Sequence, residues 1–527
     1  MSSSPSPSAD PSTPSDSAGG RQSETGGSSP AVYRTKPNRH FPFLARHPWV
    51  LANTLADAPK QTSKKTASAK TGSPDSDPPG GQHQDAQAAS EPVHADPEHA
   101  KQQQTEPRDP GQPIDLLDHD GNWIGRGLAN PASRLRLRLY SFSRDEPVDD
   151  ALFAKRIDEA VARRRLATPA NPPAGAAAAE DGTAENAQMP IGLPQKGERL
   201  IFSEADRLSG LIVDRYADCL SVQFTAAALL SRGPFLIDEV LAAAEKYGTP
   251  CRRVVARMDA ATAKHEAVSP EQIAEVESWS RGIDTAPSPT NLSAPNPSDP
   301  SSSDAEQDPE SSNHTVWYWH NDLKMAIDLR DGQKTGGYLD QQANHAEAAR
   351  YMKGKRVLDI CTYTGGFALA AARAGASEVI GVDSSEKALQ MARRNADANS
   401  LSHVQFERAD CFDDLKQRHE RGEFFDAVVL DPPRFAGSRR QVDSALRAYA
   451  RLNMSAVNLL QPGGLLVTCS CSGHVSRADF LNMLADVGRK RRRDIIILQS
   501  RGPASDHPLA VSCPESDYLK CVIAQVH

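Results

Sequence analysis

The stretch VLDICTYTGGF, residues 357–367, decides the fold. An apolar run ends in Asp359, turns through the pair Gly365-Gly366 and continues into an Ala-rich segment. Glycine lets the backbone approach a ligand closely at the point where a parallel strand meets the next helix. Strand and helix patterns alternate in this way from Gly332 onward, which is typical of a doubly wound parallel sheet. The sequence therefore predicts a Rossmann-like α/β domain over 332–527, closed by an antiparallel hairpin of residues 509–512 and 518–526.

Two more acids follow the next predicted strands, and together with Asp359 they indicate the ligand. Asp383 comes 17 residues after Gly366, and Asp410 ends the third strand. A dinucleotide-binding site needs the motif GxGxxG, and an acid at 359 would repel the pyrophosphate of the dinucleotide. S-adenosylmethionine, by contrast, has no phosphate and carries positive charge. We expect Asp383 to accept both ribose hydroxyls and Asp410 to bind the adenine amino group. The alternative is that these acids only cap helices.

The fourth and fifth strands deliver candidate catalytic groups. Asp431-Pro432-Pro433 follows the fourth, in a motif that suits the exocyclic amine of a planar base, and Cys471 follows the fifth. C5 of cytosine is a poor nucleophile, so its methylation requires a thiolate that adds to C6. Asp431 would hold N3 and the amine of such an adduct. From the residues alone, Cys471 is equally well interpreted as a nucleophile or as an inert buried cysteine.

Composition separates a folded core from acidic insertions. Four segments, 1–39, 54–110, 169–196 and 281–314, are rich in Pro, Ser and polar residues and are predicted to be disordered. They carry a net charge of −9, against −8 for the 527-residue chain, which leaves +1 for the rest. The overall acidity therefore does not exclude a nucleic acid as partner.

Other classes of protein are excluded on composition. The sequence has no apolar run long enough to span a membrane, and we expect no signal peptide, because residues 1–20 contain neither a basic nor an apolar segment. Its eight cysteines form no CxxC pair, which disfavours a disulfide scaffold and a four-cysteine zinc site. We therefore expect a cytoplasmic protein without a metal.

Two smaller domains are predicted before the α/β domain. Residues 40–140, interrupted by 54–110, are typical of a small all-β domain, and 141–331 of a mixed α+β domain. In the alternating run SRLRLRL, the residues Arg134, Arg136 and Arg138 share one face of a strand. We interpret that face as a surface for RNA phosphates, with an ordinary solvated strand as the alternative.

Many motifs in order resemble one bacterial family, the large-subunit methyltransferase I enzymes that modify C5 of a cytosine in 23S ribosomal RNA. The shared motifs span nearly all of the predicted core: HPWV at 47–50, EAD at 204–206, GLIVDRY at 210–216, KTGGYLDQ at 334–341, YTGGF at 363–367, DPP at 431–433, SCSG at 470–473, DHP at 506–508 and YLK at 518–520.

The resemblance implies an architecture and a set of site residues. It implies a PUA RNA-binding domain, a central α+β domain and a class I methyltransferase domain with a seven-stranded sheet. S-adenosylmethionine would be held by Lys334, Asp359, Thr364, Gly365, Gly366, Asp383 and Asp410. Cys471 matches the family's nucleophile and Asp431 its base-contacting acid, while His507 either approaches the base or closes a loop.

The sequence also departs from the family pattern. Gln342 stands where the family has Arg, and Cys469 occupies a position that is usually apolar. Two other functions stay open: an RNA N-methyltransferase with an inert Cys471, and an RNA-binding assembly factor that has lost catalysis. RNA is the expected partner, and a homodimer is an open question.

Overall fold

The computed structural model describes residues 31–56, 107, 109–166, 196–282, 314–329 and 335–527. Lys334 and most of the four predicted disordered segments lie outside the described residues. The described residues pack as one unit from residue 31 onward, and they form four β-sheets. No helix in the described ranges has the length and apolar character needed to cross a bilayer.

The first sheet has five strands in the order β1-β3-β4-β5-β2. Its elements are β1 (Ala31–Arg34), α1 (Phe41–Leu44), β2 (Trp49–Leu51), β3 (Pro113–Leu117), β4 (Trp123–Ala129) and β5 (Leu135–Ser141). The all-β character predicted for this region is present: β3 and β4 pair antiparallel as a hairpin, and Asp118 Oδ1 accepts the N–H groups of Asp120 and Asn122 in its turn. The prediction of disorder across 1–39 is wrong for its last part, since β1 pairs in parallel with β3 and buries Tyr33 in the core of this sheet, which the Ser/Pro-rich context concealed.

The central region contains a four-stranded sheet in the order β6-β7-β8-β9 and a separate hairpin of β10 and β11. Its elements are α2 (Asp150–Leu166), β6 (Gly197–Phe202), β7 (Leu211–Tyr216), β8 (Cys219–Phe224), α3 (Gly233–Lys246), β9 (Arg253–Arg257), α4 (Ala260–Glu266), α5 (Pro270–Ser278), β10 (Thr315–His320) and β11 (Leu323–Asp328). Its apolar core includes Phe153 of α2, Phe224 of β8 and Ile237 of α3.

The last region forms a seven-stranded sheet in the order β14-β13-β12-β15-β16-β18-β17. Its elements are α6 (Gln342–Ala349), β12 (Arg356–Ile360), α7 (Gly366–Arg373), β13 (Glu378–Asp383), α8 (Glu386–Ala398), β14 (Gln405–Arg408), α9 (Cys411–Glu420), β15 (Phe425–Leu430), α10 (Val442–Leu459), β16 (Leu460–Ser470), α11 (Arg477–Arg491), β17 (Ile495–Arg501) and β18 (Lys520–Val526). The predicted Rossmann-like sheet is confirmed.

The closing hairpin was predicted with the wrong first strand. Residues 509–512 form no strand, and β18 instead runs antiparallel between β16 and β17. The connection from β17 to β18 is long, so turn chemistry around 513–515 could not reveal the true partner.

Helices cover both faces of this sheet, which explains its apolar strands. Val357 and Val429 belong to one core cluster, while Leu358 and Val428 belong to the cluster on the other face. Successive side chains of a strand point to opposite faces, so a sheet buried on both faces needs continuous apolar runs. The carboxyl ends of β12 to β16 then meet at one edge, where polar residues follow each strand.

Candidate active site

A cavity of about 1280 Å³ opens at this edge. Its lining comes from the first sheet through Trp49, from the central region through Phe202 and Tyr318, and from the last sheet through the residues that follow its parallel strands. The cavity is therefore assembled where the three parts of the chain meet, and it can hold a small molecule together with part of a larger one.

The loop after β12 forms one wall. Cys361, Tyr363 and Gly365 have positive φ values of 63°, 52° and 91°, which turn the chain sharply before α7 begins. A Cβ on Gly366 would lie 2.4 Å from Cε1 of His345, so only glycine fits there. Thr364 and Gly366 line the cavity, whereas Gly365 shapes the turn without lining it.

Asp359 lies behind this loop, is 1% exposed and is not among the residues that line the cavity. Its Oδ2 accepts the Thr362 hydroxyl at 2.6 Å and the Ala368 N–H at 3.0 Å. Its Oδ1 has no hydrogen-bond partner in the described part of the chain. Burial raises the pKa of Asp359 to about 7. A buried carboxylate with an unpartnered oxygen favours a cation nearby.

The two other predicted acids lie on the rim of the same cavity. Asp383 accepts the Tyr363 N–H at 3.0 Å through Oδ2 and the Ser385 N–H at 2.9 Å through Oδ1. Asp410 is exposed and caps α9 through the N–H groups of Phe412 and Asp413. Helix capping, the alternative interpretation, therefore describes Asp410 in this structure, although its side chain also faces the cavity.

Asp431 and Cys471 face the cavity from β15 and β16. Asp431 Oδ1 accepts a hydrogen bond of 3.0 Å from Gln341 Nε2, which fixes the orientation of the carboxylate. Cys471 is half-buried, whereas Cys469 is fully buried in the core and lies opposite Cys521 on β18. The two thiols thus have different surroundings, and only Cys471 lines the cavity.

A buried network holds the chain around Cys471, and the sequence had suggested no role for it. Lys520 is 1% exposed, and its Nζ donates to the carbonyl oxygens of Ser472 at 2.6 Å and Tyr518 at 2.8 Å. Burial lowers the pKa of Lys520 to about 8. Tyr449 Oη and Ser472 Oγ are 3.0 Å apart. This network fixes the turn after β16 and places an ammonium group next to it.

A pair of buried histidines also lines the cavity, and no sequence motif had pointed to it. His320 Nε2 and His345 Nδ1 are 2.8 Å apart. Burial lowers the pKa of His320 to about 4 and that of His345 well below its ordinary value, so both rings are neutral at pH 7. His345 packs against Gly366 and therefore positions the loop before α7.

His507, by contrast, serves the fold. It is 3% exposed, and its Nδ1 lies 2.7 Å from Asp506 Oδ1. Asp506 Oδ2 accepts the N–H of Arg199 at 2.9 Å, which ties this loop to the central sheet. His507 is absent from the cavity lining, so of the two interpretations the loop-closing one describes its contacts.

The predicted arginine face is divided by burial. Arg134 is exposed and Arg136 half-buried, but Arg138 is 7% exposed. The Arg138 guanidinium donates to Ser209, to the Thr225 carbonyl and to Glu266 at 3.2 Å. The prediction that Arg138 faces RNA phosphates is wrong, because its end of the strand packs against the central region.

Potential metal ligands cluster at two places in the described ranges. His47, Cys513 and Glu515 form one group, and residues 118–120 form the other. The His47 Nδ1 accepts the Trp49 N–H at 3.2 Å, so the neutral ring carries its proton on Nε2, which faces Glu515 Oε2 at 3.2 Å. That nitrogen has no lone pair for a metal, and burial raises the pKa of Cys513. We assign no metal to this group.

Comparisons with known proteins identify the family of the chain. A family model described as S-adenosylmethionine-dependent methyltransferase matches residues 303–491, and one described as a PUA-like domain matches residues 98–142. The ribosomal RNA large subunit methyltransferase I of Shewanella denitrificans is 36% identical over 418 residues, covering 79% of this chain and 90% of that protein. Its counterpart from Tolumonas auensis is 34% identical over 417 residues, with the same two coverages.

Solved structures show the same fold. A protein described as a methyltransferase and crystallised with SAH aligns with a TM-score of 0.58 over 79% of this chain and 91% of its own. A Streptococcus mutans protein described as a SAM-dependent methyltransferase aligns with a TM-score of 0.57 over 80% of this chain and 93% of its own. Both are 18% identical to this chain, so they carry the fold alone.

The donor that the family implies fits the residues present. The unpartnered Oδ1 of the buried Asp359, together with Asp383 and Asp410 of the cavity lining, suits the amino group and sulfonium of S-adenosylmethionine. The fold and the sequence identity along most of the chain indicate the same family. The chain therefore belongs to the ribosomal RNA large subunit methyltransferase I family of S-adenosylmethionine-dependent enzymes.

Proposed function

We propose that the chain forms 5-methylcytosine in 23S ribosomal RNA, with Cys471 as the nucleophile. The position of Cys471 carries this proposal. The side chain is half-buried and lines the same cavity as Asp431 and the loop after β12, while Cys469, two residues earlier, is sealed in the core. A thiol open to the cavity can reach an atom of a bound base, which a core cysteine cannot.

The chemistry needs one thiol and one acid. After loss of its proton, Cys471 Sγ forms a bond to C6, and the electron pair of the C5–C6 double bond moves to C5. S-adenosylmethionine supplies the methyl group to C5 and leaves as S-adenosylhomocysteine. The C5 proton then passes to water, the electron pair of the C5–H bond restores the C5–C6 double bond, and the Sγ–C6 bond breaks with its electron pair leaving on the Cys471 thiolate.

Asp431 would hold the cytosine during these steps. Its carboxylate, oriented by Gln341, would accept a hydrogen bond from the exocyclic amine and interact with a protonated N3 as charge moves into the ring. The neighbouring prolines restrict the backbone, so little motion is needed on binding. Lys520 would contribute by fixing the turn that carries Cys471.

The donor would be held by the residues of the loop wall. Asp383 would accept the ribose hydroxyls, Asp410 the adenine amino group, and Asp359 would face the positive charge. Thr364 and Gly366 would contact the donor where they line the cavity, Gly365 would shape the turn, and Lys334, outside the described residues, would complete the pocket. Asp410 would bind the adenine amino group while its carboxylate also caps α9.

The RNA would dock on the first sheet. Arg134 and Arg136 remain the proposed phosphate contacts there, since the buried Arg138 is excluded. We retain 40–140, 141–331 and 332–527 as the proposed domains, with the first extended to include β1. Modification of ribosomal RNA in a reducing cytoplasm is the proposed setting.

Nucleoside analysis tests this function directly. Purified protein, labelled S-adenosylmethionine and 23S ribosomal RNA from a strain lacking the gene should yield 5-methylcytidine by mass spectrometry. The variant C471A should yield none, whereas C469A, its matched control, should retain the product. An N-methylated nucleoside would identify the enzyme as an RNA N-methyltransferase, and no product with any ribosomal RNA would favour an assembly factor.

A further inference from the structure

A strongly basic run lies far from the cavity. Residues 489–493 read Arg-Lys-Arg-Arg-Arg, from the last turn of α11 to the start of β17. The first four of these side chains are exposed. We call residues 489–493 the basic run.

Structural roles account for only part of its charge. Arg493 donates to the carbonyl oxygens of His527 at 2.7 Å and Leu460 at 3.3 Å and so anchors the turn. Arg489 lies 3.3 Å from Asp486 in an exposed pair. Within the described residues, Lys490, Arg491 and Arg492 have no carboxylate partner. A helix carboxyl end corresponds to about half a negative charge, which cannot offset three exposed cations.

A hollow of about 340 Å³ adjoins the basic run. Its lining combines the cations Arg489, Arg492 and Arg493 and one acid, Asp494, with apolar side chains such as Ile497. Three cations against one acid, beside apolar surface, suit a chain that alternates anionic groups with flat, weakly polar groups. A nucleic-acid strand has this character, because phosphates follow one another along sugars and bases.

The basic run and the cavity lie at opposite ends of the strands of the seven-stranded sheet. β18 is antiparallel to both β16 and β17, so β17 runs in the direction of β16. The start of β17 therefore lies at the edge where β16 begins, whereas Cys471 follows the end of β16. A strand of seven residues separates the two edges by roughly 20 Å.

We propose that the basic run binds the phosphate backbone of a second RNA segment, outside the one that enters the cavity. The inference rests on ribosomal RNA being the substrate, as the proposed function holds. A ribosomal RNA extends far beyond 20 Å, so it can contact both edges of the sheet at once. The run adds affinity and orientation without reading sequence, because cations on phosphates are sequence-independent.

Salt dependence of RNA binding tests the proposal. The variant R489A/K490A/R491A is compared with K353A/K416A/R421A, which removes the same charge from exposed sites elsewhere in the domain. For a long 23S transcript, the first variant should lower the slope of log K against log salt by about 2 and weaken binding about tenfold or more at low salt. The control variant should bind the long transcript with the same affinity and salt slope as the parent. Both variants should bind a short RNA, which reaches only the cavity, as tightly as the parent does.

Three results would overturn the proposal: an unchanged slope, an equal loss in the control variant, or a loss of binding to phosphatidylglycerol vesicles with RNA binding intact. Circular-dichroism melting confirms that each variant folds. Methylation of a long transcript is scored separately by nucleoside type. If the parent forms no 5-methylcytidine but R489A/K490A/R491A still binds RNA with a lower salt slope than the parent, the proposed function is refuted and this inference stands.

Discussion

The proposed donor half of the cavity and its proposed base half are built in different ways. In the donor half, Asp359 bonds to Thr362 and Ala368, and Asp383 bonds to Tyr363, so most contacts lie within one strand–loop–helix segment. In the base half, Gln341 orients Asp431 from 90 residues away, and Lys520 supports Ser472 across 48 residues. A local segment can carry a cofactor site, whereas catalytic geometry here requires the whole domain.

The largest expected effect is a loss of methyl transfer with no change in donor binding. Replacing Cys471 with alanine should reduce methyl transfer by about 10³-fold or more, because the proposed adduct at C6 forms through this thiol and Cys469 is sealed in the core. Binding of S-adenosylhomocysteine, measured by calorimetry, should be unchanged. C469A should keep its activity and lose only about 1 kcal/mol of stability from the core. Equal losses of activity in both variants would contradict the distinction between the two cysteines.

A second change should damage the donor half alone. The variant G366A places a Cβ 2.4 Å from the His345 ring, so the loop must shift. We expect S-adenosylhomocysteine to bind about 100-fold more weakly, since a displacement of this size removes several contacts at about 1 kcal/mol each. G437A is the matched control, because its nearest neighbour, Gln441 Oε1, lies 3.4 Å away. Parent-like binding by G366A would show that the loop tolerates the shift.

The pH dependence of donor binding should report Asp359. Its pKa of about 7 in the free protein results mainly from burial, and a bound cation should lower it. Because the bound form then prefers the carboxylate, affinity should rise with pH up to about 7 and level off above it. Below that point it should fall by about tenfold per pH unit. The variant D359N should show a flat profile, and a parent profile without a bend near pH 7 would refute the assignment.

A smaller effect is expected from the support of the base half. K520M removes the donor to the Ser472 and Tyr518 carbonyls, which should cost about 2–3 kcal/mol in the free energy of unfolding. We expect about a tenfold lower kcat with unchanged donor affinity, because the turn that carries Cys471 loosens. The exposed lysine variant K353M controls for the substitution itself. Weakened donor binding in K520M would mean that the two halves are coupled.

The same contrast explains what the sequence could predict. The strand 356–360 and the three acids at the strand ends were predicted because an apolar run, a turn and a helix leave local signals. The insertion of β18 between β16 and β17 left none, since strand order depends on contacts distant in sequence.

The burial of individual side chains could not be predicted from the local sequence either. Alternation placed Arg138 on a face but could not show that Glu266, 128 residues later, would pair with it. The contact between His320 and His345 likewise joins residues whose spacing predicts nothing.

The most direct measurement uses RNA that contains 5-fluorocytosine. With S-adenosylmethionine present, fluorine at C5 prevents the final elimination, so a thiol adduct at C6 should accumulate. The account predicts a stable protein–RNA complex whose peptide map places the modified nucleotide on residue 471, in the parent and in C469A. A complex attached elsewhere, or methylated RNA released without any covalent complex, would contradict the account.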